Sequence, residues 1–247
     1  MHMHIEYLNG KMHRACRKEG NPQPEADTPR VKGKTGKAGI AMDLNCDRWI
    51  KTTSQRTQII YRADASIIVY HMALPNTARV VESGTGTLGL TYALSNYFLD
   101  GHVDTVECND ERFAAAQKDV RLAGMSNVTV HHSKVLEYLM CVVERAEKVD
   151  GIFLDVPEPE EVIEVAAAAL HPGGKIACFV PCIEQVQRVL EKQSLLSGLH
   201  VERLFENVEI QHKPIMIQTH PSKEYGTVPD DKIRSHTGYI LILKLAL

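Results

Sequence analysis

Residues 79–90 read RVVESGTGTLGL, and the reading of this stretch decides the fold. Val80 and Val81 belong to a short apolar strand that runs into a glycine-rich turn. The turn opens a helix expected from about Leu88 to Phe98. Gly84, Gly86 and Gly89 fit the spacing G-x-G-x-x-G. Glycines at these places let the backbone turn tightly and come close to a bulky ligand, and the helix N-terminus offers that ligand unpaired N–H groups. A plain strand-to-helix connection can show the same pattern, so the turn decides nothing alone. The next strand, HVDTVE at 102–107, ends in Glu107, 18 residues after Gly89. An acid that holds a ribose is expected at an offset of about 20 residues. Glycine loop, helix, strand and terminal acid make a nucleoside-binding half-fold, suited both to NAD and to S-adenosyl-L-methionine (AdoMet).

Strands and helices alternate outward from this point. Strands are expected near 79–83, 102–107, 127–131, 149–155 and 174–181, and helices near 88–98, 110–123, 134–146, 158–170 and 183–197. Such alternation predicts a parallel, doubly wound sheet. Ligands in such sheets sit beyond the carboxyl ends of the strands, which directs attention to strands one, two and four. After 198 the pattern changes. Segments 199–211 and 238–246 alternate as strands, and 220–237 between them reads as polar and irregular, with Pro221 and Pro229. The two strands predict an antiparallel hairpin closing the sheet, a finish typical of AdoMet-dependent methyltransferases and unusual in NAD domains. The fold class is therefore α/β: a Rossmann-like, doubly wound, mainly parallel seven-stranded sheet with a C-terminal antiparallel hairpin.

Upstream, residues 1–54 form a small irregular N-terminal region, and 55–247 form the main domain. A hairpin is expected around Asn9-Gly10, and 17–39, rich in glycine, proline and charge, reads as a mobile loop or linker. Trp49, the only tryptophan, is the expected anchor of 40–55. Ile59, Ile67, Ile68, Met72 and Leu74 give the next segment an apolar face, with Asp64 expected to begin or cap a helix running to about Ala73. That helix is placed to act as a lid over the ligand site.

Composition narrows the function. The chain has 247 residues, 44% of them apolar, enough for one large domain with a small appendage. No apolar run is long enough to span a bilayer, and the first sixteen residues carry no apolar signal core. Six cysteines without a C-x-x-C pair read as reduced thiols of an intracellular protein. His131 and His132 are the best metal pair by position, but no carboxylate completes a set, so no metal site is expected. Residues 1–60 hold 11 Lys/Arg against 6 Asp/Glu, while 61–247 hold 17 against 25. A protein with so acidic a main domain needs a partner or oligomer to supply the positive surface if it acts on nucleic acid; the basic N-terminus alone also reads as a solvated tail.

Strand four reads DGIFLD and is followed by Val156-Pro157-Glu158-Pro159. Asp155 falls at its carboxyl end, in a loop that the prolines stiffen. A fixed carboxylate there accepts a hydrogen bond from an exocyclic amino group and stabilises a ring that becomes cationic on methylation. The plainer reading makes Asp155 a cap of the following helix. Glu158, Glu160 and Glu161 read as first-turn residues facing that helix's dipole.

Several segments together make the chain resemble the catalytic subunit of the tRNA (adenine-58-N1)-methyltransferases, including the bacterial homologue. They are RTQIIY (56–61), ESGTG (82–86), TVE (105–107), FLDVP (153–157), PCIEQVQR (181–188) and HTGY (236–239). PCIEQVQR and RTQIIY are the more specific ones, and the resemblance covers about 45–247. It implies AdoMet as cofactor and methyl transfer to N1 of adenine-58 in the T-loop of tRNA. By position it implies AdoMet contacts from Gln58 and Ile60, from Ser83, Gly84 and Gly86, and from Thr87, Leu88, Gly89 and Leu90. Glu107 and Arg112 would hold the ribose end, Lys134 and Val135 the adenine ring, and Asp155 the methionine end together with the target base. Tyr61, Pro157, His236, Thr237 and Tyr239 would border the substrate, with Asp155 and Tyr61 closest to the chemistry. Tyr61 and Tyr239 read equally as packed aromatics, and Arg112 as a helix-surface charge.

The resemblance also implies a partner, a non-catalytic homologous tRNA-binding subunit in a heterotetramer of two plus two, with a homotetramer as the alternative, and residence in the nucleus. Four departures from the family pattern carry expectations of their own. Leu88 stands where the family has its third glycine and is expected to tighten or reshape the pocket. Arg62 replaces a proline, Lys134 an acid of the eukaryotic pattern, and Glu160 a tryptophan of the substrate wall. Residues 1–44 are shorter and more polar than the family's N-terminal barrel. The divergent turn and short N-terminus also suit a catalytically weak scaffold subunit, which AdoMet binding by the isolated chain would separate from an enzyme. An NAD-dependent oxidoreductase is disfavoured by the C-terminal hairpin.

Overall fold

The computed structural model describes residues 2–8, 11–17, 30–32, 38–42, 44–53, 57–219, 222–230 and 236–247. Before the main domain, strands β1 (His2–Leu8), β2 (Lys11–Arg17), β3 (Arg30–Lys32) and β4 (Ala38–Met42) form an antiparallel sheet in the order β2-β1-β4-β3. Leu8 pairs with Lys11, the register of the hairpin expected around Asn9-Gly10, which themselves lie outside the described residues. Within the stretch read as linker, 30–32 and 38–39 are strand; the rest of it falls outside the described residues.

Two helices follow, α1 (Cys46–Thr52) and α2 (Arg62–Met72). The Asn45 side chain caps α1 by accepting from the Arg48 amide. Asp64 does not begin α2 as expected. The cap position is Tyr61, and Asp64 sits in the first turn, buried, accepting from the Asn207 side chain at 3.2 Å. Its carboxylate faces the protein interior because the 207–209 segment covers that end of the helix, a long-range contact that no local pattern announces.

The main sheet alternates β5 (Arg79–Ser83), α3 (Gly89–Tyr97), β6 (His102–Glu107), α4 (Asp110–Ala123), β7 (Val128–His132), α5 (Val135–Glu144) and β8 (Val149–Leu154). A 3-10 turn at Pro159–Glu161, α6 (Ile163–Ala169), β9 (Leu170–Val180), α7 (Ile183–Ser194) and β10 (Leu199–Glu206) continue it, and β13 (Tyr239–Leu245) closes it after the ribbon described below. The strand order is β10-β13-β9-β8-β5-β6-β7. The five strands from β5 to β9 are parallel, and β13 runs antiparallel between β9 and β10.

Side chains alternate across the strands, so both faces are apolar and both are covered. Val80 and Phe153 point to a core that holds Trp49, Ile68, Leu94 and Phe98. Val81 and Ile152 point to the opposite core, with Leu139, Ile163 and Val189. The result is three layers, with the carboxyl ends of β5, β6 and β8 adjacent at one edge.

Within the segment expected to be irregular, 222–229 is strand. Strand β10 ends at Glu206 rather than at 211, and β11 (His212–Thr219) pairs antiparallel with β12 (Ser222–Pro229) as a separate two-stranded ribbon. Pro221 lies outside the described residues, and Pro229 is the last residue of β12, at the end of a strand with one free edge, where a proline is tolerated. Among the described residues, no helix is long and apolar enough to cross a membrane.

Candidate active site

The glycine turn is shaped by backbone that only small residues allow. Gly84 has φ +89° and leads directly out of β5, and a Cβ there would lie 2.5 Å from the carbonyl oxygen of Asp155. A Cβ on Gly86 would lie 2.7 Å from Thr57 Oγ1. The turn is pinned by the Gly84 amide to the Val106 carbonyl at 3.2 Å, and the Asp155 amide donates to the Ser83 carbonyl at 3.0 Å. These contacts lock the carboxyl ends of β5, β6 and β8 together at the point where the chain reverses its winding, the place where such sheets bind ligands.

Leu88 occupies the third-glycine position with glycine-like backbone, φ +64°, at the start of α3. Its side chain is fully buried in the core with Trp49 and Leu94, turned away from the cleft. Its neighbours Gly86, Thr87 and Gly89 line the cleft, while Leu88 itself packs in the core behind the turn. Trp49 is the anchor expected of it. Its indole Nε1 donates to the Thr87 carbonyl at 2.9 Å and its ring stacks on Tyr92 at 5.7 Å.

Glu107 ends β6 facing the turn. One carboxylate oxygen accepts from the Gly86 amide at 3.3 Å, the other from the Asn109 amide at 2.9 Å and from Arg112 Nη2 at 2.8 Å. Burial pushes its pKa up, but the Arg112 guanidinium and then the Asn109 amide outweigh burial and hold it below the usual carboxylate range. Arg112 is therefore a partner of Glu107 and not a loose surface charge. Lys134 stands at the N-cap position of α5 without a side-chain cap, and Val135 is buried just behind it, next to the end of β7.

Asp155 stands at the end of β8, half-buried, and burial raises its pKa to about 6. It caps no helix: the 3-10 turn and α6 that follow have no side-chain cap. Glu160 and Glu161 stand in the first turn of the 3-10 helix, as expected, with Glu158 at its cap position. Glu160 pairs with Arg188 and Glu164 with Lys192, tying this loop and α6 to α7. The Gln185 side chain extends that tie, donating to the Pro157 carbonyl at 2.9 Å while accepting from the Cys182 amide at 3.1 Å. The segments FLDVP and PCIEQVQR thus form one wall.

Gln58, Ile60, Gly84, Gly86, Thr87, Gly89, Leu90 and Asp155 line a single cleft, with Thr57, Ile59, Glu82 and Thr85. Ser83 lies beneath it in β5. Tyr61, at the start of α2, adjoins the Gln58–Ile60 wall. His236, Thr237 and Tyr239 enter β13 beside the end of β9, where Tyr239 pairs with Val180. The His236 and Tyr239 rings lie 5.0 Å apart. Arg56 lies outside the described residues.

Two features were missed from sequence. Glu82, quoted within ESGTG without a role, is buried under the cleft and accepts from Thr91 Oγ1 at 2.6 Å. Burial raises its pKa to about 7 against the hydrogen bonds of Thr91 and Thr105. An acid in the middle of an apolar strand, directly before the turn, was the available signal. Glu206, which meets His236, stood in an alternating strand and gave none. His131 meets Asp104 and His132 meets Asp110, and among the described residues no group of three or more His, Cys, Asp or Glu side chains is gathered.

The cleft has the features of a site for an extended polar ligand. Its turn would be filled by two Cβ atoms, and Thr87 Oγ1 is buried in its wall with no hydrogen-bond partner. A fixed anion stands at one end in Glu107, and a second carboxyl, able to change charge near neutral pH, stands beside the turn in Asp155.

Residues 41–227 match the family model described as the tRNA methyltransferase complex GCD14 subunit. The chain is 36% identical over 147 residues to the tRNA (adenine(58)-N(1))-methyltransferase catalytic subunit of Dictyostelium discoideum, covering 58% of this chain and 47% of that protein. It is 30% identical over 193 residues to the corresponding subunit of Yarrowia lipolytica, 77% of this chain and 50% of that one. The chain spans about half the length of these curated relatives. Among solved structures, an SAM-dependent O-methyltransferase of Thermotoga maritima superposes with a TM-score of 0.77 at 22% identity, covering 100% of this chain and 93% of that one. A tRNA (m1A58) methyltransferase of Aquifex aeolicus gives 0.72 at 21%, covering 99% and 97%. These likenesses establish the class I methyltransferase fold expected from the sequence.

Proposed function

Since the chain belongs to the family of the GCD14 subunit of a tRNA methyltransferase complex, we propose that it is a catalytic subunit transferring a methyl group from AdoMet to N1 of adenine-58 in tRNA. The observation that carries this reading is the pairing of Asp155 with the glycine turn: its carbonyl packs on Gly84, and the residue lines the cleft. The curated relatives that bear this activity by name support the choice of substrate.

The residues present fit AdoMet. Glu107, kept ionised by Arg112, would accept hydrogen bonds from the ribose hydroxyls. The turn from Gly84 to Thr87 admits the nucleoside's backbone-close edge, and the unpartnered Thr87 hydroxyl offers it a hydrogen bond. Val135 and Lys134 flank the adenine, and Gln58 and Ile60 close the methionine side. Bound there, AdoMet supplies an electrophilic methyl on a sulfonium.

The remaining chemistry belongs to the chain. Asp155, as a carboxylate, accepts a hydrogen bond from the exocyclic N6 amino group of the target adenine and so aims N1. Methylated N1 leaves the ring cationic, and the same fixed carboxylate stabilises that charge as it develops. Tyr61, from the lid helix, packs against the base; Pro157, Thr237 and Tyr239 complete its enclosure. N1 lies on the pairing edge, so the base must leave its partner to enter.

The same reading includes tRNA as partner and a non-catalytic homologous subunit in an assembly of two plus two, with a homotetramer as the alternative form, in the nucleus. The support for an assembly is a set of exposed apolar side chains on the edge strand and on the ribbon. Val201 and Leu204 of the sheet's edge strand and Met216, Ile217 and Tyr225 of the ribbon are all exposed. The test of function is transfer of labelled methyl to unmodified tRNA and to the same tRNA with adenine-58 replaced by guanine, with and without a candidate partner subunit. Label in the first alone supports the reading. Equal label in both, or label only in a small hydroxylated acceptor, sinks it.

A further inference from the structure

Both ring nitrogens of His236 face acceptors. Nδ1 lies 2.6 Å from Glu206 Oε1 and Nε2 lies 2.9 Å from the Pro181 carbonyl oxygen. A carboxylate and a peptide carbonyl donate nothing, so each contact needs an N–H from the ring. Neutral imidazole carries one such N–H, and only the doubly protonated imidazolium carries two. The hydrogen-bond geometry therefore selects the cation.

The contact joins three parts of the chain: the end of β10, the loop after β9, and the segment entering β13. It also continues. Pro181 precedes Cys182, whose amide is held by Gln185, and Gln185 reaches on to the Pro157 carbonyl, two residues from Asp155. A line of hydrogen bonds thus runs from Glu206 through His236 to the loop that carries Asp155.

We propose that Glu206 is a positioning residue that keeps His236 doubly protonated, and that the resulting latch fixes the Asp155 loop and the 236–239 segment for methyl transfer. The kinetic half of this inference rests on the function proposed above; the protonation of His236 does not. The Pro181 carbonyl, and then Glu206, raise the pKa of the ring above its ordinary value. Among the described residues, Glu206 is the charged group acting on the ring, and the ring of Tyr239, the first residue of β13, lies against it. Lys232 and Arg234 lie outside the described residues. A pKa raised by folding means that the latch is closed at low pH and lost as pH rises through the folded value. Asp155 imposes the opposite trend, so the rate should rise as Asp155 ionises and fall as His236 loses its proton.

The test follows the side-chain 15N shifts of His236 in the full cofactor-free chain from pH 5.5 to 9, for wild type and Glu206→Gln, alongside kcat and KM for tRNA at each pH. The expected result is imidazolium shifts on both nitrogens at pH 7 in wild type, and a titration midpoint lowered by about one pH unit in Glu206→Gln, as removal of a neighbouring opposite charge requires. The alkaline limb of kcat should move by the same amount, and Glu206→Asp should restore part of it. A wild-type ring that is neutral at pH 7, or a midpoint that Glu206→Gln leaves in place, overturns the latch. A moved midpoint with an unmoved kcat limb overturns its positioning role. Should no preparation methylate tRNA, the proposed function fails while the 15N titration still decides the latch.

Discussion

The indole of Trp49 donates to the main-chain carbonyl of Thr87 across 38 residues of chain, with both groups buried. A residue before the main domain thereby holds the turn that shapes the cleft. Trp49→Phe keeps most of the apolar surface and removes the donor, leaving a buried carbonyl unpaired. The expected loss is about 1–3 kcal/mol of stability, read as a shift of the urea midpoint, together with weaker AdoMet binding by calorimetry. An unchanged midpoint and affinity would show that the turn holds itself.

Leu88 poses a contest between two effects. Its left-handed backbone costs about 1–2 kcal/mol in a non-glycine residue, which Leu88→Gly would relieve. Removing a fully buried leucine side chain costs about 2–5 kcal/mol. Burial wins, so Leu88→Gly should destabilise the chain while leaving AdoMet affinity within a few-fold. A stabilised variant with tenfold altered affinity would mean that the side chain shapes the pocket after all.

Glu82 gives a pH dependence of stability. Its folded pKa of about 7 lies above the ordinary carboxyl value of 4.5. The folded state therefore holds the proton more tightly, and this contribution is full below pH 4.5 and lost as pH rises through 7. Asp155 acts in the same direction up to about 6. Glu82→Gln should remove the larger part, so that its unfolding free energy, minus that of wild type, grows by up to about 3 kcal/mol over this range. Parallel wild-type and variant curves in denaturant titrations at pH 4.5, 6 and 7.5 would contradict the buried protonated acid.

The exposed apolar ribbon predicts a dependence on assembly. Met216→Glu combined with Tyr225→Glu places two charges on side chains that are 56% and 81% exposed. Folding should be unaffected, and light scattering should report loss of the tetramer or of the complex with the partner subunit. An assembly of unchanged mass would place the interface elsewhere.

The parallel half of the fold was legible because each strand and helix has its own period, and Glu107 and Asp155 could be located because they end strands. What stayed hidden depends on contacts distant in sequence. Asp64 looked like a cap until Asn207 covered it, and nothing local announced that Glu160, in the first turn as expected, also pairs with Arg188 from α7. The side of the turn to which Leu88 points is set by a positive φ, which a glycine pattern hints at but does not assign to a leucine. The β11–β12 ribbon was lost because its exposed apolar residues and prolines obscure the alternation that marks a half-buried strand.

The most direct test of the account is the position of the methyl group. The chain, with its partner subunit, is incubated with labelled AdoMet and unmodified tRNA, and the product is mapped by mass spectrometry beside Asp155→Asn. The predicted result is methyl on N1 of adenine-58 in wild type, reduced at least a hundredfold in the variant with AdoMet binding largely kept, as about 2.7 kcal/mol of lost transition-state stabilisation would give. Methyl at another base or atom, or transfer undiminished in Asp155→Asn, would contradict it.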